Sequence, residues 1–139
     1  LVLTLLAMAL AAGGCTGGAD SYEPNDELQA ATPLAPGTTL RATIDKSGSQ
    51  GDQDIFECEA PKPDGGSFRI EIRSDRADSL KVQVGASIPT AWEAISWPAW
   101  RPRVDAGAIV VEGELKEGTV LIFVSGEKRA GYSIRMTWQ

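Results

Sequence analysis

The chain contains no histidine. That absence excludes Ser–His and Cys–His nucleophile pairs, and with them the imidazole-based zinc sites that most metallohydrolases use. Cysteine is nearly absent too: Cys15 and Cys58 are the only two. Basic residues are outnumbered, 13 against 19 acidic ones, for a net charge of -6. A surface of that sign repels a phosphate backbone, so nucleic acid is not an expected partner. No phosphate loop and no dinucleotide fingerprint occurs. No long stretch shows the 3.6-residue periodicity of an amphipathic helix, and no internal repeat appears.

What is present begins with an apolar run. Leu1 to Leu10 carries one polar side chain, Thr4, and no charge, and Ala11-Ala12-Gly13-Gly14-Cys15 follows. The run is shorter than the roughly 20 residues a spanning helix needs. It reads as an export signal over residues 1–14, one whose own start lies upstream, since neither an initiator Met nor a basic stretch precedes it. Small residues directly before a cysteine resemble a bacterial lipobox, although Ala12 stands where Leu is usual. The resemblance implies cleavage before Cys15 and a lipid on that residue. Residues 15–21 then form a tether, and 22–139 form one domain of ordinary size. The protein is expected in the bacterial cell envelope, lipid-anchored to the outer membrane or cell surface. With Cys15 lipidated, Cys58 has no disulfide partner. It shares a strand face with Phe56 and is expected to be buried as a small hydrophobe.

The body of the domain alternates with period two. Leu40, Ala42 and Ile44 alternate with Arg41 and Thr43, and Phe68, Ile70 and Ile72 with Arg69, Glu71 and Arg73. Leu80, Val82 and Val84, and later Tyr132, Ile134, Met136 and Trp138, repeat the pattern. Each is a strand with one buried and one wet face. Val120 to Val124 is apolar throughout, which predicts a central strand. Ile109 to Leu115 reads as another, with Lys116-Glu117-Gly118 as its turn. About seven short strands with frequent turns predict an all-β fold, an antiparallel, jelly-roll-like β-sandwich. Asp26 to Ala31 is expected to make one helical turn, ended by Pro33 and Pro36.

One stretch breaks this rhythm. Ile88 to Val104 holds Trp92, Trp97 and Trp100 among Pro89, Pro98 and Pro102, and the prolines argue against a regular central strand. Exposed indoles stack on sugars and anchor protein interfaces, so the three Trp residues are candidate ligand contacts. Equally, the rings fit a lid over an open end of the core.

Two acidic clusters remain: Glu23-Pro24-Asn25-Asp26, and Gly51-Asp52-Gln53-Asp54-Ile55-Phe56. Crowded carboxylates repel, and a hard divalent cation offsets that repulsion. The alternative reading makes Asp26 a helix cap and Asp52 and Asp54 turn residues. An EF-hand starting at Asp45 is rejected, because Phe56 stands where the closing Glu belongs. These clusters, the Ala31-Thr32-Pro33-Leu34 stretch between them and the late Gly131-Tyr132-Ser133-Ile134-Arg135 strand resemble the bacterial pre-peptidase C-terminal domain. The resemblance runs from Tyr22 to Trp138 and is interrupted between Leu80 and Ile109. It implies a non-catalytic β-sandwich related to the collagen-binding domains of collagenases. It also implies calcium bound by Glu23, Asn25, Asp26, Asp52 and Asp54. No peptidase accompanies the domain in this chain.

The function expected from this reading is a non-catalytic, envelope-anchored interaction module. It is calcium-stabilised, held at a membrane by its lipid, and has a protein or polysaccharide partner. A structural or accessory protein for an exported enzyme or envelope complex is the alternative. A small carboxylate-based hydrolase ranks third: with 19 acidic residues some close pair is inevitable, so a pair alone carries little weight.

Overall fold

A computed structural model describes residues 30–45, 52–88, 95–97 and 100–139. The expected signal, the lipidated Cys15 with its tether, the first acidic cluster and Trp92 lie outside the described residues.

Nine strands occur among the described residues: β1 (Thr32–Pro33), β2 (Thr39–Ile44), β3 (Gln53–Glu59), β4 (Gly66–Arg73), β5 (Leu80–Ser87), β6 (Arg103–Asp105), β7 (Ala108–Leu115), β8 (Thr119–Gly126) and β9 (Ala130–Trp138). They form two sheets. One has the order β1-β3-β8-β5 and the other β2-β9-β4-β7-β6. All pairings are antiparallel except that of β1 with β3. The molecule is a β-sandwich, as the alternating pattern predicts.

The core lies between the sheets, built from the inward half of each alternation. Phe68, Ile70 and Ile72 of β4 and Ile134 and Met136 of β9 come from the five-stranded sheet, and Val120, Ile122 and Val124 of β8 from the other; all are buried. Each such side chain contributes about 1.5–3 kcal/mol on leaving water. Strand β8 lacks a wet face because its second side is covered as well: Leu121 and Phe123 form a smaller cluster with Ile55, under Ala31 and Ile95. Its continuous apolar run therefore marks a strand covered on both sides. Cys58 is buried beside Phe56 in the main core.

Three features differ from the sequence expectation. First, Pro33, expected with Pro36 to end a helical turn most of which lies outside the described residues, joins Thr32 in β1, paired in parallel with Phe56 and Glu57 of β3. A proline is tolerated there because β1 is an edge strand. Second, the Pro-rich stretch ends in a short edge strand, β6, whose pairing with β7 was not expected. The hairpin turns through Ala106 (φ 48°) and Gly107 (φ 76°). Two left-handed residues make the tight turn that matches strand twist, but alanine rarely occupies that region, so the sequence carries no signal for it. Third, Ser96 bridges Ala86 through a mutual pair of backbone hydrogen bonds of 2.7 and 2.8 Å. The crossing segment is thus stitched to the β5 edge.

Candidate functional site

The second acidic cluster splits into two distinct positions. Asp52 stands just ahead of β3, and its Oδ2 accepts from the Asp45 backbone N–H at 2.6 Å. It thereby ties the end of β2 to the start of β3. Asp54 lies within β3 and is fully buried, pointing between the sheets. The Tyr132 hydroxyl of β9, in the opposite sheet, donates to Asp54 Oδ2. A carboxylate in a protein interior is tolerated only with such donors. Asp54 is therefore an inter-sheet tie, a role different from the turn residue that is its alternative reading.

Asp52 and Asp54 are two residues apart, Asp52 just outside β3 and Asp54 within it. They sit at the end of β3 beside which β1 begins, because β1 runs parallel to it with Thr32 opposite Phe56. Among the described residues no group of three or more metal-ligating side chains exists. Glu23, Asn25 and Asp26, the other ligands that the resemblance implies, lie outside the described residues.

The described tryptophans of the cluster separate rather than converge. The Trp100 ring packs edge-on against Phe68, with centroids 4.8 Å apart at 87°. It occupies the space over Gly113, the register partner of Phe68, where a Cβ would fall 2.5 Å from Trp100 Nε1. Trp100 is thus a wedge in the flank of the main core. Trp97 goes to the outer face of the other sheet. Its ring lies 5.4 Å from that of Phe123, tilted by 43°. It passes over Gly85, where a Cβ would meet Ile95 at 2.8 Å and Trp97 at 3.1 Å. With 55% of its surface exposed, Trp97 presents a ring supported from below and free above.

Sequence reasoning overlooked the charge lattice on the outer face of the five-stranded sheet. Glu112 accepts from Arg69 at 2.7 Å and from Arg103 at 2.9 Å. Arg69 also faces Glu71 at 3.7 Å and Asp105 at 3.9 Å. The hydrogen bond from Arg69, then that from Arg103, holds the Glu112 carboxyl below the usual range, and Glu112 in turn raises Arg69. The signal for this lattice is the pairing register, which sets Arg69 opposite Glu112. Elsewhere, burial pushes the Cys58 thiol up, with the Trp138 indole N–H pulling the other way. That N–H falls outside hydrogen-bond geometry and is otherwise unsatisfied. Cys58 is therefore a protonated core residue without the low pKa of a reactive thiol.

No protein-family model matches this sequence, and no curated protein does. Among solved structures, the chain is similar to the pre-peptidase C-terminal domain of a collagenase from Bacillus anthracis. The match has a TM-score of 0.58 and 11% sequence identity, and it covers 77% of this chain and 94% of that one. At that identity the likeness establishes the fold: a β-sandwich of the pre-peptidase C-terminal type, the fold implied by the sequence resemblance.

Proposed function

We propose that this protein is a non-catalytic interaction module of the bacterial envelope, binding a protein or polysaccharide partner through the face that carries Trp97. The observation that carries the reading is the Trp97 ring, packed on Phe123 and over Gly85 yet more than half exposed. Burying so large a ring in the free protein would gain apolar area, and its exposure instead leaves an anchor for a partner. Trp92 precedes it by five residues and is assigned to the same contact. Trp100, with its ring on Phe68, supports the flank beneath.

The test separates binding from folding. Trp97→Ala is expected to abolish capture of the partner, in envelope-extract pull-downs and on glycan arrays, while leaving the melting temperature nearly unchanged. Trp100→Ala is expected to lower it. A Trp97→Ala protein that binds as before would overturn the assignment.

A second reading, an accessory protein for an exported enzyme, draws on the structural neighbour being a domain of a collagenase. Co-purification of an enzyme with the chain, unaffected by added sugars, would favour it.

Two further elements belong to the proposal. The export signal and Cys15 lipid place the module at a membrane. Calcium holds the N-terminal segment to the sandwich, with Glu23, Asn25 and Asp26 joining Asp52 and Asp54. The parallel β1–β3 pairing supports this reading, since it starts β1 beside the end of β3 that bears both aspartates. From Ala30 back to Asp26 is four residues, at most about 14 Å of chain. The oxygen donors suit a hard cation.

A further inference from the structure

The register of the four-stranded sheet fixes the neighbours of Trp97. Its outward residues are those that alternate with the main core: Gln53, Ile55 and Glu57 on β3, Leu121, Phe123 and Ser125 on β8, and Lys81, Gln83 and Gly85 on β5. Ile55, Phe123 and Gln83 form one row across the three strands. Gln53, Ser125 and Lys81 form the row on one side of it, and Glu57, Leu121 and Gly85 the row on the other. Gln83 therefore adjoins both supports of the Trp97 ring. It is the register partner of Phe123, and it stands two residues before Gly85 on the same face.

Two properties of this surround select a ligand. Its uncharged polar groups are unspent: Gln83 is exposed, Gln53 and Ser125 are half-buried, and none of the three side chains makes a hydrogen bond. Its charges are few. Lys81 pairs with Glu127 at 3.4 Å. Glu57, which has no ion pair, is then the one uncompensated charge among these described residues.

We propose that the Trp97 face binds a neutral polysaccharide. The inference rests on the reading that Trp97 is the contact, and it narrows the partner to one class. A sugar ring presents an apolar C–H face bordered by hydroxyls, and the exposed indole takes that face. Each sugar hydroxyl both donates and accepts. Amide and hydroxyl side chains do the same, whereas a guanidinium only donates and a carboxylate only accepts. Gln83 meets the sugar stacked on Trp97, and Ser125 and Gln53 continue the polar strip towards β3. The strip crosses three strands, about 10 Å, so a chain of sugar units engages it better than a single ring. An acidic polymer would face Glu57 with no unpaired cation to receive its carboxylates. A basic protein surface would find one free carboxylate only.

The test is affinity electrophoresis of the full chain through gels holding a β-glucan, a xylan, a mannan or a dextran, with pectate as the acidic comparator. Retardation by at least one neutral polymer is expected, unchanged by added salt, and none by pectate. Trp97→Ala abolishes it. Gln83→Ala weakens it about threefold to tenfold, the loss of one or two hydrogen bonds. Lys81→Ala, which removes a charge already paired, leaves it unchanged. Gln83→Glu keeps the stem and replaces the alanine variant if that one melts early. If no neutral polymer retards the chain, the polysaccharide is overturned; capture of an envelope protein that depends on Trp97 would then leave the face standing with a different partner. If a neutral polymer holds the Trp97→Ala protein as well as the parent, the face itself falls. Equal retardation of the Gln83→Ala protein overturns the polar strip as the contact, and salt-sensitive retardation by pectate overturns the neutral class.

Discussion

Gly113→Ala is the sharpest test of how the crossing segment is held. The added methyl would stand 2.5 Å from Trp100 Nε1, 2.7 Å from Trp100 Cδ1 and 2.8 Å from Phe68 Cζ. Carbon atoms rest at about 3.5–4.0 Å, so the indole must withdraw by about 1 Å or more. Neither ring yields easily. Phe68 is buried in the main core, and the two rings already meet edge to face. Overpacking of this kind costs about 1–3 kcal/mol. Against that, alanine reduces the freedom of the unfolded chain, worth about 0.4–1 kcal/mol where the backbone tolerates it, and Gly113 is not among the residues of positive φ. The expected net loss is about 1–2 kcal/mol, read as a lower urea midpoint at constant slope. The decisive arm is the same substitution in a Trp100→Ala background. With the indole gone, Phe68 can shift into the vacated space, and Gly113→Ala becomes neutral or stabilising. A coupling of about 1–2 kcal/mol in this double-mutant cycle confirms the wedge. If Gly113→Ala is harmless in the parent, or costs the same with and without Trp100, the ring does not fill that space and the argument fails.

Three other predictions follow from the same geometry. Tyr132→Phe preserves the ring but strips Asp54 of its inter-sheet donor, which should cost about 1–3 kcal/mol in chemical unfolding; an unchanged midpoint would refute the tie. Glu112 has its folded pKa held below the ordinary value of 4.5 by Arg69 and Arg103. Its contribution to stability is therefore present above that value and is lost as pH falls through the depressed one. Acid unfolding of Glu112→Gln should show a shallower limb in this window, and superimposable limbs would count against the lattice. Calcium added to chelator-treated protein should stabilise it by about 2.7 kcal/mol at a hundredfold excess over Kd. Asp52→Ala should erase the gain, whereas an unshifted melting curve with calcium would remove the metal from the proposal.

How much of this was legible in the chain varies by element. Strands β4 and β9 are plain in the sequence because period-two alternation is a local property: Phe68, Ile70 and Ile72 turn inward whatever pairs with them. The same holds for Cys58 beside Phe56 and for β8, whose unbroken apolar run requires cover on both faces. The β6–β7 hairpin was not legible, since Ala106 occupies a backbone region that its side chain does not advertise.

The sequence by itself determined the class of fold, the wet and dry face of each principal strand, and the exclusion of histidine-based chemistry. It also brought forward the acidic and tryptophan-bearing segments as the places to look. Only the tertiary structure decided what those segments do with their side chains. Asp52 and Asp54 are near neighbours in the chain. One closes a loop while the other is sealed into the core, because Tyr132 arrives from the opposite sheet. Trp97 and Trp100 are three residues apart, yet one ring packs on Phe123 at the outer face of the sheet holding β5 and the other on Phe68 at the flank of the main core. The row of Ile55, Phe123 and Gln83 joins residues separated by up to sixty-eight positions. Local periodicity sets which way a side chain points. Which side chains meet depends on strand order and register, and those are fixed by non-local packing of the whole core.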